Sequence, residues 1–449
     1  MLVGPGIWRK WRPDTVLTKI LNPGEFSLGE NRAGSRADGG QPGRAEVQQM
    51  GNQDALAGMR VLDCSQVMAG PFCTMLLADL GAEVIKIEPP SGDSTRAMAG
   101  PERGESASYW AVNRNKRGMV VDLHRPEGVE IVRRLATMAD VFVENNRPGV
   151  MTTLGLDYPT LARDHPQLIY ASISGFGQNG PYAARRGFDL VTQGMSGIMS
   201  VTGDAGLPPM KCGLPITDLG AGLFATYGIL AAYTHQLRTG EGQYIDTSLL
   251  EAGIALSVWE ASQLWSGGGV PQPLGSAHRM SAPYQAFRCA DGYITLGAAN
   301  QRTWERFCHV LNRPDLLARP DLATDADRVR HRAELTEMIE AITRTKPMQH
   351  WLDVLDAAGV PSGPILNYAQ VFSDPHVRER GMVQELDHPR GGRIKQLGPA
   401  VKLSRTPARL RRPAPTLGQH TAEVLATLGY DRPAIERLAE AGVVMLGRA

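Results

Sequence analysis

From Arg60 onward, short apolar runs alternate with stretches of helical spacing. Val61-Leu-Asp-Cys64 predicts a strand, Pro71 to Leu80 a helix stopped by Gly81, and Glu83-Val-Ile-Lys-Ile-Glu88 a second strand stopped by Pro89-Pro90. Met119-Val-Val-Asp-Leu123 follows, then a helix from about Pro126 to Thr137, and the strands Asp140-Val-Phe-Val-Glu144 and Leu168-Ile-Tyr-Ala-Ser-Ile-Ser174, with a short helix between them. Strands alternating with helices at this spacing predict an open, mainly parallel α/β sheet. In such a sheet, ligands meet the carboxyl ends of the strands.

The longest apolar stretch, Leu219 to Leu237, lacks proline and ends at Arg238, which predicts a long helix. Gly213 and Pro215 keep the chain irregular before it, so Asp218 belongs at or near the helix N-terminus. Free N–H groups and the positive end of the macrodipole favour a carboxylate there, and can hold a developing oxyanion beside it. An aspartate at this place is also a favoured helix cap, so position alone leaves both roles open. Gly220-Ala-Gly222-Leu-Phe-Ala225 matches the G-x-G-x-x-A dinucleotide pattern, but Pro215 spoils the central strand that must precede it. Its small residues are better explained by close helix packing.

The chain divides by texture. Residues 1 to 52 are rich in Gly, Arg, Asn, Gln and Ser and predict a disordered extension, with Met50 as a candidate start of translation. An α/β domain is expected over 53–250, and a linker over 251–284 that contains Gly267, Gly268 and Gly269, either plain linker or a mobile lid. Residues 285–403 predict a smaller α+β domain, with helices over Gln301 to Leu311, Asp325 to Thr343 and Pro347 to Ala358 and then a β-rich portion. Residues 404–449 predict a Pro/Arg-rich linker and amphipathic helices that return to the first domain.

Among 449 residues, 47 basic and 46 acidic side chains are mixed throughout, giving a formal charge of +1. No global field therefore draws in nucleic acid or membrane. The stretch after Asp218 is interrupted by Thr226, Thr234, His235 and Gln236 and reads as a buried helix, not a span. Five cysteines without C-x-x-C or paired spacing disfavour a zinc ribbon, a redox dithiol or a disulfide framework, and fit a reducing cytoplasm.

Polar residues gather at the predicted strand ends: Ser65-Gln-Val-Met-Ala-Gly-Pro71, Asn113-Arg-Asn-Lys-Arg-Gly118 and Asn145-Asn-Arg-Pro-Gly-Val150. Each is a turn or solvated surface taken singly; together Lys116, Arg117, Arg147, Arg185 and Arg186 can rim a phosphate site. In order and spacing, several segments resemble the class III (CaiB/BaiF) CoA-transferases. They are Leu56 to Asp63 with Ala69-Gly-Pro71, Leu80 to Glu88, Asn113 to Arg117 with Asp122-Leu123, Ala139 to Asn145 with Arg147-Pro-Gly149, Ser174-Gly-Phe-Gly177, Gly187-Phe-Asp189, and Pro215 to Gly222. The resemblance runs from about Leu56 to Gly442.

The resemblance implies a Rossmann-like large domain, a small domain, and a homodimer of two ring-shaped subunits threaded through each other. It implies transfer of CoA from an acyl-CoA to a carboxylic acid, with Asp218 as nucleophile, through an aspartyl anhydride and an aspartyl-CoA thioester, and with no metal or tightly bound cofactor. Coenzyme contacts carry over to Val67, Met68, Ala69, Val121, His124, Asn145, Asn146, Arg147 and Arg186, and the glycines 267–269 become a closing lid. Met68 stands where formyl-CoA:oxalate enzymes have glutamine, and Phe188-Asp189 where they have Tyr-Glu, which argues against oxalate as acceptor. Asp189 is a second candidate carboxylate, to be weighed against a cap. Two rivals are the α-methylacyl-CoA racemase branch, whose Gly-His-Asp motif is broken here by Phe188, and a non-catalytic acyl-CoA binding protein.

Overall fold

The computed structural model describes residues 54–98 and 106–447. The extension expected over 1–52, with its start at Met50, lies outside them. Strands β1 (Arg60–Asp63), β2 (Glu83–Glu88), β3 (Lys116–Val121), β4 (Val141–Glu144), β5 (Ile169–Ser174) and β6 (Tyr244–Ser248) form a parallel sheet. Its order is β12-β3-β2-β1-β4-β5-β6, with β12 (Val444–Met445) added antiparallel to β3. The central strands are buried on both faces, with charged residues such as Asp63, Lys86 and Lys116 buried among their apolar ones.

The helices of this part, in chain order, are α1 (Ala69–Asp79), α2 (Ala107–Asn113), α3 (Pro126–Ala136), α4 (Val150–Thr153), α5 (Tyr158–Asp164), α6 (Asp189–Met195), α7 (Ile198–Val201), α8 (Ile216–Thr239), α9 (Leu249–Leu256) and α10 (Val258–Trp265). On one face of the sheet, Leu62, Phe142 and Tyr170 pack with Ile131 and Leu135 of α3 and with Val424, Leu428 and Ile435 from near the carboxyl terminus. On the other, Val61, Val84, Val143 and Ala171 pack with Cys73 and Leu77 of α1 and with Ala221, Ala225 and Ile229 of α8. Helix α8 is long and apolar enough to cross a membrane, yet these contacts lay it along the sheet. It ends at Gly240, whose φ of 76° lets its N–H turn back to the Gln236 carbonyl at 2.7 Å. Gly220 and Gly222 sit inside α8, not in a phosphate turn: a Cβ on Gly222 would stand 2.7 Å from the Ala69 carbonyl oxygen, so the glycine lets α8 and α1 touch.

A second core surrounds the antiparallel sheet β7 (Tyr284–Arg288), β8 (Tyr293–Gly297) and β9 (Ser362–Pro364). Phe287, Trp304, Phe307, Ile339 and Trp351 fill it, carried by β7 and by helices over Gln301–Val310, Arg332–Thr343 and Met348–Ala357. The single helix expected over Asp325 to Thr343 is two, Asp325–Arg330 and Arg332–Thr343. At the break, His331 has φ of −99° and ψ of 20°, off the helical values, and its ring Nδ1 lies 3.0 Å from the Asp327 carbonyl that its own N–H also meets at 3.1 Å. The stretch read as β-rich holds two short helices, Tyr368–Ser373 and Pro375–Glu379, before the hairpin β10 (Val383–His388) and β11 (Gly392–Leu397). Asn367 and Asp374 cap these helices, a local signal that outweighs the β-branched content around them.

Candidate active site

Helix α8 starts one turn earlier than its apolar run, at Ile216, so Asp218 lies inside the first turn instead of capping it. Pro215, at the cap position, offers no side-chain hydrogen bond. The cap comes from Asp189, the first residue of α6: its Oδ1 accepts the Thr217 N–H at 3.0 Å and the Thr217 hydroxyl at 2.8 Å. Buried Gln193, one turn along α6, donates to Asp189 Oδ2 at 2.7 Å and to the Leu214 carbonyl at 3.2 Å, and its Oε1 accepts the Cys212 N–H at 2.8 Å. One amide thus ties α6 to the segment that leads into Asp218.

Burial, and after it the neighbouring Asp189 charge, push the Asp218 carboxyl up to about 7. The helix terminus therefore does not hold this group fully ionised, as its position suggested: desolvation and a like charge outweigh the dipole. The N–H groups of Ile216, Thr217 and Leu219 are taken by the Leu214 carbonyl, Asp189 and the Pro215 carbonyl. These three are not available as oxyanion donors.

Two close backbone approaches bring the parts together. Gly187 packs on Gly175, where a Cβ would stand 2.9 Å from the facing Cα, and this brings Phe188 and Asp189 across the end of β5. Gly222 lies one turn along α8 from Asp218 on the same face, and its contact with Ala69 sets the loop after β1 against that face. In this loop Val67 is left-handed, with φ of 68°. Asn145 grips the neighbouring Gln66 from both sides, accepting its N–H at 2.7 Å and donating to its carbonyl at 2.7 Å. The Asn145 amide thus holds the loop in which the resemblance places further coenzyme contacts.

Val121, His124 and Asn146 line one cavity of about 220 Å³ at the carboxyl ends of β1 to β4, with Gln66, Leu123 and Met151. Met151 also borders a neighbouring cavity of about 270 Å³, which holds Arg147 together with Glu144 and Tyr158. Met68 is the residue before α1, and Ala69 opens that helix. Arg147 and Arg186 are exposed, the disposition expected of cations that meet a phosphate chain. Gly267, Gly268 and Gly269 form the exposed end of α10, where the Gly268 N–H returns to the Gln263 carbonyl at 2.9 Å. The hydrogen bonds of this segment are to its own helix, and none joins it to Asp218 among the described residues. The described residues also contain no cluster of His, Cys, Asp and Glu arranged to hold a metal ion. Sequence reasoning missed Gln193 and Thr217: a polar residue one turn after Asp189 was a faint signal for the first, and none marked the second.

The model of CoA-transferase family III matches residues 56–421. The human succinyl-CoA:glutarate CoA-transferase is 41% identical over 398 residues, covering 88% of this chain and 91% of that protein. The succinate–glutarate CoA-transferase of Agrobacterium fabrum is 40% identical over 381 residues, covering 83% and 95%. Among solved structures, a CaiB/BaiF family protein from Brucella suis superposes with a TM-score of 0.76 at 36% identity, covering 84% of this chain and all of that one. A carboxylate on the first turn of a core helix, cavities at the carboxyl ends of the parallel strands and these matches lead to one assignment: the chain belongs to the class III CoA-transferases.

Proposed function

We propose that this CoA-transferase moves CoA from succinyl-CoA to a five-carbon dicarboxylate such as glutarate, with Asp218 as the covalent nucleophile. The observation that carries the mechanism is the placement of Asp218 on the first turn of α8, facing the Val67–Ala69 loop through Gly222. The ionised Asp218 carboxylate attacks the thioester carbonyl, forming an acyl-aspartyl anhydride as the C–S bond breaks and CoA thiolate leaves. The thiolate then attacks the aspartyl carbonyl, giving aspartyl-CoA and the free first acid. The acceptor carboxylate attacks aspartyl-CoA, and the thiolate released in that step takes the new acyl group, which restores Asp218. No net proton is consumed and no tightly held cofactor is needed. The substrate assignment rests on the two relatives named for succinyl and glutarate transfer, and on the less polar residues Met68 and Phe188.

The working unit is a homodimer. Leu223, Tyr227, Leu237, Ile254, Val258 and Trp265 on α8 to α10 are exposed, a larger apolar surface than a lone subunit normally leaves to water. The five free thiols fit the reducing cytoplasm as its compartment.

Incubation with succinyl-CoA, quenching with hydroxylamine and peptide mapping tests the mechanism. A hydroxamate on the Asp218 peptide is expected. An unmodified Asp218 with every donor tried, together with exchange of the α-proton into solvent, would establish proton-transfer chemistry of the racemase type instead.

A further inference from the structure

Val67 is β-branched and left-handed, with φ of 68°, an unfavourable combination that persists only where the surroundings enforce it. What enforces it is a buried charge network outside the reacting groups. The Val67 N–H points to the Asp93 carboxylate, 3.2 Å from Oδ2. Asp93 is held in turn by Lys86, whose Nζ is 3.1 Å from the same oxygen, and by the Thr95 N–H at 3.0 Å and hydroxyl at 2.7 Å on Oδ1. Lys86 also donates to the Ser65 carbonyl at 2.8 Å, two residues before Val67. Lys86 and Asp93 are both fully buried, as are Asp63 and Lys116, which pair at 3.0 Å beside them.

Buried ion pairs seldom add stability over apolar packing, because desolvation consumes most of the Coulomb gain. One of them, Lys86–Asp93, meeting a strained peptide directly therefore points to a conformational task. Burial alone would push the Asp93 carboxyl up, but Lys86 and the Thr95 hydrogen bonds outweigh it and hold the group below the ordinary range, so it stays an anionic acceptor for the Val67 N–H.

We propose that Asp93 is a positioning residue for the acyl-CoA: clamped by Lys86 and Thr95, it holds Val67 left-handed and so fixes the Gln66–Ala69 loop against the Asp218 face of α8. This rests on the assignment of Val67 to Ala69 as coenzyme contacts.

The test is calorimetric titration with a non-reactive thioether analogue of succinyl-CoA, which reads the loop without any chemistry at Asp218, alongside steady-state kinetics. In Asp93→Asn the Kd of the analogue and the KM for succinyl-CoA should rise about tenfold while the KM for the acceptor acid stays within about twofold. Adding Val67→Gly to that variant should bring the Kd back to within about threefold of wild type, because glycine adopts a positive φ without the clamp. A purely structural role would lower thermal stability and show no such rescue. Should Asp93→Asn not fold, Thr95→Val carries the same test, with a two- to threefold weakening that Val67→Gly reverses. Tight wild-type binding that neither variant changes, or a double variant no better than the single one, overturns the positioning role alone. Wild-type protein that fails to bind the analogue overturns the coenzyme-site assignment and the proposal with it.

Discussion

Asp189 Oδ1 accepts the Thr217 backbone N–H at 3.0 Å, so the helix carrying Asp218 is capped by a residue 28 positions earlier in the chain. The same contact sets a second carboxylate beside Asp218. Cap and electrostatic neighbour are one group, and the helix geometry and the basicity of Asp218 are therefore coupled.

With its carboxyl raised to about 7, Asp218 is largely protonated at pH 6 and ionised at pH 8. On the proposed mechanism, in which the carboxylate attacks the thioester, kcat/KM for succinyl-CoA should climb about tenfold per pH unit below 7 and level off above it. A pH–rate profile checks this; a profile flat from pH 5 to 8 would contradict it.

Asp189→Asn keeps an oxygen for the Thr217 N–H but removes the charge. Burial still raises Asp218, so the acid limb should move to lower pH without reaching the range of an exposed aspartate. The fold should lose less than about 1 kcal/mol, measured by urea denaturation, because the cap survives.

Asp218→Asn should abolish transfer, by at least about 1,000-fold in kcat, and leave no hydroxamate. It should also stabilise the protein at pH 8. The folded-state value lies above the unfolded one, so the fold binds the proton more tightly, and the stability this contributes is lost as pH rises through about 7. Replacing the group removes that penalty, at most about 4 kcal/mol at pH 8 and close to nothing at pH 4. Thermal melts of both proteins at the two pH values read the difference.

Gly222→Ala puts a methyl group 2.7 Å from the Ala69 carbonyl, a backbone atom that cannot rotate away. A loss of about 1–3 kcal/mol is expected, with a weaker grip on acyl-CoA as the loop after β1 shifts. Equilibrium denaturation and the KM for succinyl-CoA report the two effects separately.

Gln193→Leu fills much of the same volume but breaks the ties to Asp189, Leu214 and Cys212. A stability loss of about 1–3 kcal/mol is expected from the buried groups left unpaired. The kcat should fall at least about tenfold, while acyl-CoA binding changes little because this tie lies on the α6 side of the site.

The parallel sheet was legible because short β-branched apolar clusters such as Val84-Ile85 and Val141-Phe142-Val143 recur between helical stretches and are punctuated by Gly81 and Pro89-Pro90, and α8 because Leu219 to Leu237 has no competing signal. Asp218 was legible as a carboxylate at a helix start, and as a nucleophile only through the resemblance. The Asp189–Thr217 cap left no local trace, since a long-range contact replaces the expected pattern of a capping residue beside its helix. Val67 was invisible as a left-handed residue: valine disfavours that conformation, and the force that imposes it comes from Asp93, 26 positions away. Strand β12 spans only Val444–Met445, too short for any periodicity.

That short strand has a consequence for the order of events during synthesis. Val444 pairs with Val121, and the Val443 carbonyl accepts the Asp122 N–H at 2.9 Å, so a segment made well after the parallel strands braces the wall of the cavity holding Val121, Leu123 and His124. A ribosome that has completed β1 to β6 has made every strand of the parallel sheet, yet this wall still lacks its outer support. Completion of this cavity is thereby tied to the arrival of Val443 and Val444, and a nascent chain stalled before Val443 would hold Asp218 without the finished wall.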